Sequence, residues 1–308
     1  MKKFKVLIFG SNGLVGSSLH HYLQNSKKVS LVIPSTRQDT DLKNKIDIKN
    51  IIEKHQPDYV VNCAAKVGGI YANNTFRSEF LIDNLKINLN LFDIIKNFKN
   101  ISVINLGSSC IYPLNAPNPI KESSFLEGKL EPTNSPYAIA KITGIELGRE
   151  IQNQYGNNVI NLMPTNLYGP NDNFTDMNSH VIPGLIFRMH KAKQGKQNKF
   201  KIWGSGSPLR EFMHVDDLSS CIEFLIGQKP EEDLINVGTG EEISILDLAL
   251  LIKEIVGYDG VIETDSSMPD GNPRKLLDSS KINNLGWKSS IDLKSGLKNT
   301  YEWYLNHL

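Results

Sequence analysis

Cysteine is scarce in this chain: Cys63, Cys110 and Cys221 are its whole complement. An odd and widely spaced trio argues against a disulfide framework. With no CxxC pair and no Cys/His ligand spacing, no metal is expected either. Long apolar runs are also missing, and no stretch approaches the roughly 18 to 20 residues that a membrane span needs. The opening MKKFKVLIFG has a charged lead, but its apolar run is too short for a secretion signal and passes straight into glycine, so it reads as a buried strand. Charge of one sign is lacking as well, with 34 Lys and Arg against 33 Asp and Glu and a formal net charge of +1. Such a balance points away from nucleic acid and from an anionic membrane surface. An anionic ligand must then be held by a local cluster. A cytoplasmic protein is expected.

What is present suffices for a sizeable core: 308 residues, 40% of them hydrophobic, in one large domain or two interleaved ones. Strand-like and helix-like segments alternate from the start. Val6–Phe9, Val29–Ile33, Tyr59–Cys63, Ser102–Leu106 and Val159–Met163 read as strands. Leu14–Gln24, Lys49–Lys54, Glu79–Phe98 and Tyr137–Tyr155 read as helices. This alternation predicts an α/β fold, a doubly wound parallel sheet with helices on both faces. After Pro164 the texture changes to loops rich in Asn, Asp, Pro and Gly, as in a smaller and more irregular α/β substrate domain. The expected division is 1–165 and 166–308, with a segment near 212–240 returning to the first domain. Within it, His214-Val215-Asp216-Asp217 suggests a strand running into a capped helix.

Gly10-Ser11-Asn12-Gly13-Leu14-Val15-Gly16 joins a predicted strand to a predicted helix. Glycines at this spacing allow a tight turn, a close approach to a pyrophosphate and access to the unpaired N–H groups of a helix amino terminus. The context makes this a dinucleotide site of Rossmann type, although an ordinary strand-to-helix turn would need no ligand. The end of the second predicted strand selects the cofactor. An acid there would bond both ribose hydroxyls of NAD, but the run is Pro34-Ser35-Thr36-Arg37. Arg37 could pair with a 2′-phosphate, which favours NADP(H), or could equally be a solvated surface residue. Asp47, read as lying in a loop, could accept from the adenine amino group.

Tyr137 and Lys141 form Y-x-x-x-K, so both side chains lie on one face of a helix, one turn apart. The ammonium is expected to lower the Tyr pKa, making Tyr137 the proton donor to a carbonyl while hydride arrives from the cofactor. Alone, the spacing would suit any amphipathic helix with an exposed Lys. Ser108, in Gly107-Ser108-Ser109-Cys110-Ile111-Tyr112-Pro113 after a predicted strand, lies at the carboxyl edge where parallel sheets bind ligands and could donate to the same carbonyl.

Together these motifs resemble the GDP-L-fucose synthase family, a branch of the extended short-chain dehydrogenase/reductases. Ala64-Ala65-Lys66-Val67-Gly68-Gly69, Met163-Pro164-Thr165-Asn166-Leu167-Tyr168-Gly169-Pro170, Asn178-Ser179-His180-Val181-Ile182-Pro183 and Pro269-Asp270-Gly271-Asn272-Pro273-Arg274-Lys275 extend the resemblance over nearly the whole chain. It implies an epimerase/reductase acting on GDP-4-keto-6-deoxy-mannose, with Cys110 as base and His180 as acid at C3 and C5. It also implies that Ala64, Ala65, Leu106, Gly107, Lys141, Pro164, Asn166, Leu167 and His180 border the cofactor. Lys66, Asn166, Arg188, Trp203, Arg210, Asp270 and Lys275 would hold the GDP-sugar, the arginines on phosphate and Trp203 against a ring. A homodimer built on two long helices per subunit is implied too. Two departures stand out: Asn12 occupies a position where the family often has Arg, and the segment before Pro269 is short. Two rivals remain open. One is a C4-reductase of a related GDP-4-keto sugar such as a 6-deoxy-heptose. The other is a non-catalytic NADP-sensing scaffold, which sits poorly with an intact Ser/Tyr/Lys trio.

Overall fold

The computed structural model describes residues 2–176, 179–268 and 270–308; Asn178 and Pro269 of the motifs above lie outside the described residues. Six strands form one parallel sheet: β1 (Phe4–Phe9), β2 (Val29–Ser35), β3 (Tyr59–Asn62), β4 (Ser102–Leu106), β5 (Val159–Pro164) and, from much later in the chain, β10 (Leu234–Val237). Their spatial order is β10-β5-β4-β3-β1-β2, so the winding reverses between β1 and β3. In open α/β sheets such a reversal leaves a crevice at the carboxyl ends of the strands.

Both faces of the sheet are covered, which is why its strands are apolar along their length rather than alternating with polar residues. Val6 and Ile8 point to a core shared with Leu19 and Leu23 of α1 (Leu14–Gln24) and with Leu218, Ile222 and Leu225 of α7 (Val215–Leu225). Leu7 and Phe9 point the other way, onto Ile48 and Ile52 of α2 (Lys45–His55), Leu91 and Phe92 of α4 (Arg77–Ile95) and Ile151 of α5 (Ser135–Tyr155). The helix expected over Glu79–Phe98 thus begins at Arg77, preceded by a short α3 (Ile70–Thr75).

Three buried asparagines cross the middle of the sheet in register: Asn62 of β3, Asn105 of β4 and Asn161 of β5. Asn62 Nδ2 donates to Asn105 Oδ1 at 3.4 Å, and Asn105 Nδ2 donates to Asn161 Oδ1 at 2.9 Å. The middle amide, Asn105, is thus satisfied on both sides by its neighbours one strand over, whereas Asn161 Nδ2 is buried without a partner among the described residues.

The remaining elements are short. β6 (Asn166–Tyr168) pairs with β9 (Phe212–His214), and β7 (Lys199–Trp203) with β12 (Val261–Asp265). Two-residue strands β8 (Leu209–Arg210), β11 (Ile243–Ser244) and β13 (Arg274–Lys275) make a third small sheet. Around these, α6 (Val181–Gln194), α8 (Ile245–Val256) and α10 (Leu293–Leu305) share a second core that includes Ile182, Leu185, Met189, Leu248, Ile252, Leu297 and Tyr301. Helix α9 (Ser280–Leu285) packs back on β10. Among the described residues, no helix is long and apolar enough to cross a membrane.

Candidate active site

The glycine turn after β1 is built for close approach. Gly10 has φ 76°, a left-handed conformation that L side chains avoid, and a Cβ there would lie 2.9 Å from the Ala64 backbone. A Cβ on Gly16 would lie 2.1 Å from the Gly10 carbonyl oxygen. Gly13 is the N-cap of α1 and no side chain caps that helix, so N–H groups of its first turn are left for a ligand. Ser11 is buried beneath the turn while Asn12 is exposed above it. These residues fit a pyrophosphate, with Ala64 and Ala65 across from them at the end of β3.

Beyond β2 no carboxylate stands where NAD ribose would need one, and Arg37 is exposed. Thr36 donates from both its N–H and its hydroxyl to Asp39 Oδ2, at 2.8 and 2.7 Å, which folds that acid back onto its own turn. The reading of Asp47 as a loop residue is overturned. Asn44 caps α2, so Asp47 falls in its first turn, where Oδ1 accepts from Asn44 Nδ2 at 2.9 Å and Oδ2 from the Asp41 N–H at 3.4 Å. An acid in a first helical turn is already well placed against the helix dipole without any ligand.

The end of β4 and the start of α5 converge on the reactive groups. Lys141 is buried and its Nζ donates to the carbonyl of Leu106, the last residue of β4, at 2.6 Å. Gly107 continues the ladder by donating to Leu162 at 2.9 Å. Ser108 then caps a short 3-10 turn, Ser109–Ile111, by accepting from the Cys110 N–H at 3.2 Å. That turn brings the Cys110 thiol beside Ser108 and Tyr137, and Lys275 Nζ donates to Cys110 Sγ at 3.6 Å. Ser108, Cys110, Tyr137, Lys141 and Lys275 therefore meet in one place.

Electrostatics depart from expectation at Tyr137. Burial raises its hydroxyl pKa, the charge of Cys110 raises it further, and only a hydrogen bond with Ser108 opposes them. Lys141 does not bring it down. Its Nζ lies 5.7 Å from the Tyr137 ring centroid and is spent on Leu106, and burial lowers its own pKa to about 8. Tyr137 is thus held in its protonated, donor form.

Other predicted residues fall into small groups. Pro164 ends β5, while Asn166 and Leu167 open β6; Asn166 Nδ2 donates to the Glu211 carbonyl at 2.8 Å and Leu167 packs on the sheet core. Arg188 stacks its guanidinium over Phe200 and Trp203, 5.3 and 5.8 Å from the ring centroids, and Trp203 is 40% exposed at the end of β7. Arg210 and Lys275 are register partners on β8 and β13. Asp270 is near Arg210, yet its oxygens accept from the Ser205 N–H at 2.6 Å and the Ser205 hydroxyl at 2.9 Å, which ties two loops together. Lys66 turns away to Asp83, 3.4 Å off.

Two acids escaped the sequence reading. Glu211 is fully buried between Arg210 and Phe212, and its carboxylate accepts from the N–H groups of Gly240 and Leu277 at 2.8 and 3.1 Å. Asp172 has an Oδ2 buried without a partner among the described residues. Burial raises its pKa, and the charge of His180, the N-cap of α6, opposes that rise. The only signal for Asp172 was its place in an Asn/Asp-rich loop; for Glu211, an acid between Arg210 and the apolar Phe212-Met213.

The signature of the NAD dependent epimerase/dehydratase family matches residues 6–238. The chain is 47% identical over 305 residues to a probable GDP-L-fucose synthase 1 of Oryza sativa subsp. japonica, covering 99% of this chain and 93% of that protein. It is 43% identical over 316 residues to the GDP-L-fucose synthase of Escherichia coli strain K12, covering 100% and 98%. Among solved structures it is similar to a GDP-mannoheptose C4 reductase from Campylobacter jejuni with NADP bound, with a TM-score of 0.88, 34% identity and 99% of each chain covered.

Proposed function

The chain belongs to the NAD dependent epimerase/dehydratase family, within its GDP-L-fucose synthase branch, and from that premise we propose that it converts GDP-4-keto-6-deoxy-D-mannose to GDP-L-fucose with NADPH. The observation that carries this reading is a thiol set among reductase groups: Cys110 shares one short turn with Ser108 and touches the surroundings of Tyr137.

The C4 ketone acidifies the protons on C3 and C5. Cys110, as thiolate, takes such a proton to become a thiol, and the electron pair moves onto the C4 oxygen. Ser108 and Tyr137 donate hydrogen bonds to that oxygen. His180, as imidazolium, returns a proton to the opposite face of the carbon and becomes neutral; exchange with solvent resets both groups. Two such cycles invert both centres. NADPH, when bound, supplies hydride to C4. Tyr137 gives its proton to the C4 oxygen, and its raised pKa keeps that proton in place until the oxygen becomes basic. Lys141, anchored on Leu106, orients the ribose end of the cofactor.

On this reading residues 1–165, with a returning segment near 212–240, hold NADPH, and 166–308 hold the GDP-sugar. Arg188, Arg210 and Lys275 supply charge for the diphosphate and Trp203 a stacking face. Two copies meet through α4 and α5, which carry the exposed apolar residues Ile82, Leu89 and Ile139. We assign the enzyme to the cytoplasm, a reducing compartment that suits three free cysteines.

A second reading, C4 reduction of a GDP-linked heptose without epimerisation, is favoured by the similarity to the Campylobacter reductase. One experiment separates them: GDP-4-keto-6-deoxy-mannose and NADPH in deuterated water, followed by NMR. Deuterium at both C3 and C5 in an L-galacto product is expected. Reduction without solvent deuterium eliminates epimerisation and leaves the plain reductase.

A further inference from the structure

We propose that Lys275 is the counter-cation of the Cys110 thiolate: a positioning residue whose ammonium holds the base in its ionised form, beyond any part it plays on substrate phosphate. The inference rests on the reading of Cys110 as the epimerisation base. Nζ of Lys275 donates to Cys110 Sγ at 3.6 Å across 165 residues of sequence. A contact this distant in sequence depends on how the strand bearing the Lys is held.

That strand is anchored on three sides. β13 pairs with β8, matching Lys275 to Arg210. The next N–H, of Leu276, donates to Asn118 Oδ1 at 2.8 Å, and the Leu276 carbonyl accepts from Ile120 at 2.8 Å. The N–H after that, of Leu277, donates to the buried Glu211 carboxylate at 3.1 Å. Glu211 thus finds a role: it fixes the backbone two residues beyond the Lys. Among the described residues no carboxylate lies within salt-bridge distance of Lys275, whereas neighbouring Arg274 is paired with Glu242 and Lys281 with Glu232. The Lys275 ammonium has the sulfur as its partner.

A second cation stands near. Lys141 senses the charge of Cys110, but its Nζ is committed to the Leu106 carbonyl, so it acts through space and not through a contact. Tyr137 faces the same sulfur with a hydroxyl that the thiolate charge makes harder to ionise. The arrangement divides the work. Lys275 pairs with the sulfur, while burial and the negative charge of that sulfur keep Tyr137 protonated beside it, so base and proton donor coexist in one place. In the step itself the thiolate gains the carbon proton, the C–H electron pair passes to the C4 oxygen, and Lys275 keeps all of its protons throughout.

The test uses the whole protein without any sugar nucleotide. Alkylation of Cys110 by iodoacetamide at pH 7.5 is followed by peptide mass spectrometry, with thiolate absorbance near 240 nm as a second readout. Cys221, fully buried, should stay unmodified and so reports any unfolding. Lys275→Met is expected to slow Cys110 alkylation about tenfold or more, because the thiolate is the reacting species. Lys275→Arg should stay within about threefold of wild type. Unchanged NADPH binding establishes that each variant is folded. Wild-type alkylation in Lys275→Met overturns the proposal, and so does an Arg variant as slow as the Met variant, since charge would then not be what the sulfur responds to. Failure of the functional reading looks different: no deuterium at C3 or C5, with the alkylation response intact.

Discussion

The two ends of the pocket are built in different ways. On the β4 side, reactive groups hang from an unbroken parallel sheet: Lys141 is bonded to the last strand residue and Ser108 caps the turn that follows. On the β8 side, strands of two residues are held by side chains, Asp270 on Ser205 and Glu211 on Gly240 and Leu277. A sheet delivers position through many backbone bonds at once, so the strand ends are held rigidly whatever any one side chain does. A side-chain clasp delivers it through one or two bonds. The first suits chemistry common to many substrates; the second suits a pocket that must be re-cut for each sugar.

Three variants would break or sharpen that contrast. Gly16→Val should have the largest effect. Its Cβ would lie 2.1 Å from the Gly10 carbonyl oxygen, backbone that cannot yield, and NADPH affinity should fall about 100-fold, read by fluorescence titration. Retained affinity would show that the sheet side is as pliable as the loop side. Lys141→Met comes next and should stabilise the protein while abolishing reduction. Burial lowers the Lys141 pKa from 10.5 to about 8. Below pH 8 the folded state bears the full cost of a buried ammonium. Between pH 8 and 10.5 the unfolded chain binds more protons, so wild-type stability rises with pH. The Met variant should gain about 2 kcal/mol near pH 7, after losing one hydrogen bond, and that gain should vanish by about pH 10.5. Denaturant melts at the two pH values would check it, and an equal gain at both would refute the burial argument. Asp270→Ala should act least: loss of the Ser205 clasp, about 1 kcal/mol, should raise KM for the sugar nucleotide about fivefold with NADPH affinity unchanged. A change in kcat without one in KM would move Asp270 out of the substrate side.

Legibility in the sequence follows the same divide. The glycine turn, the strand ends and Y-x-x-x-K are local patterns, and local patterns are what periodicity and spacing report. α1 occupies Leu14–Gln24 and β4 Ser102–Leu106, as read. Asp47 went astray over one missed cap, Asn44, which starts α2 earlier than Lys49. The lowering of Tyr137 by Lys141 failed for another reason: spacing places two side chains on one face but does not say that Leu106, 35 residues earlier, claims the ammonium. Lys66 turning to Asp83, and Glu211 bracing Leu277, are pairings across long stretches of chain that no window contains. Strands of two residues are also too short to show any period.

The three asparagines crossing the sheet bear on how the chain finds this arrangement at all. Parallel strands must pair across long gaps in sequence, and apolar runs such as Val60-Val61 or Val103-Ile104 offer little to distinguish one alignment from the next. Amides at matched heights do distinguish them. If β4 slid by one residue during folding, Asn105 would leave both neighbours and point to the opposite face. Each stranded amide would then cost about 1 to 3 kcal/mol, a proofreading penalty levied before any ligand is present. Those asparagines act as an error check on folding, and Ser108 and Cys110, three and five residues further along, inherit its accuracy.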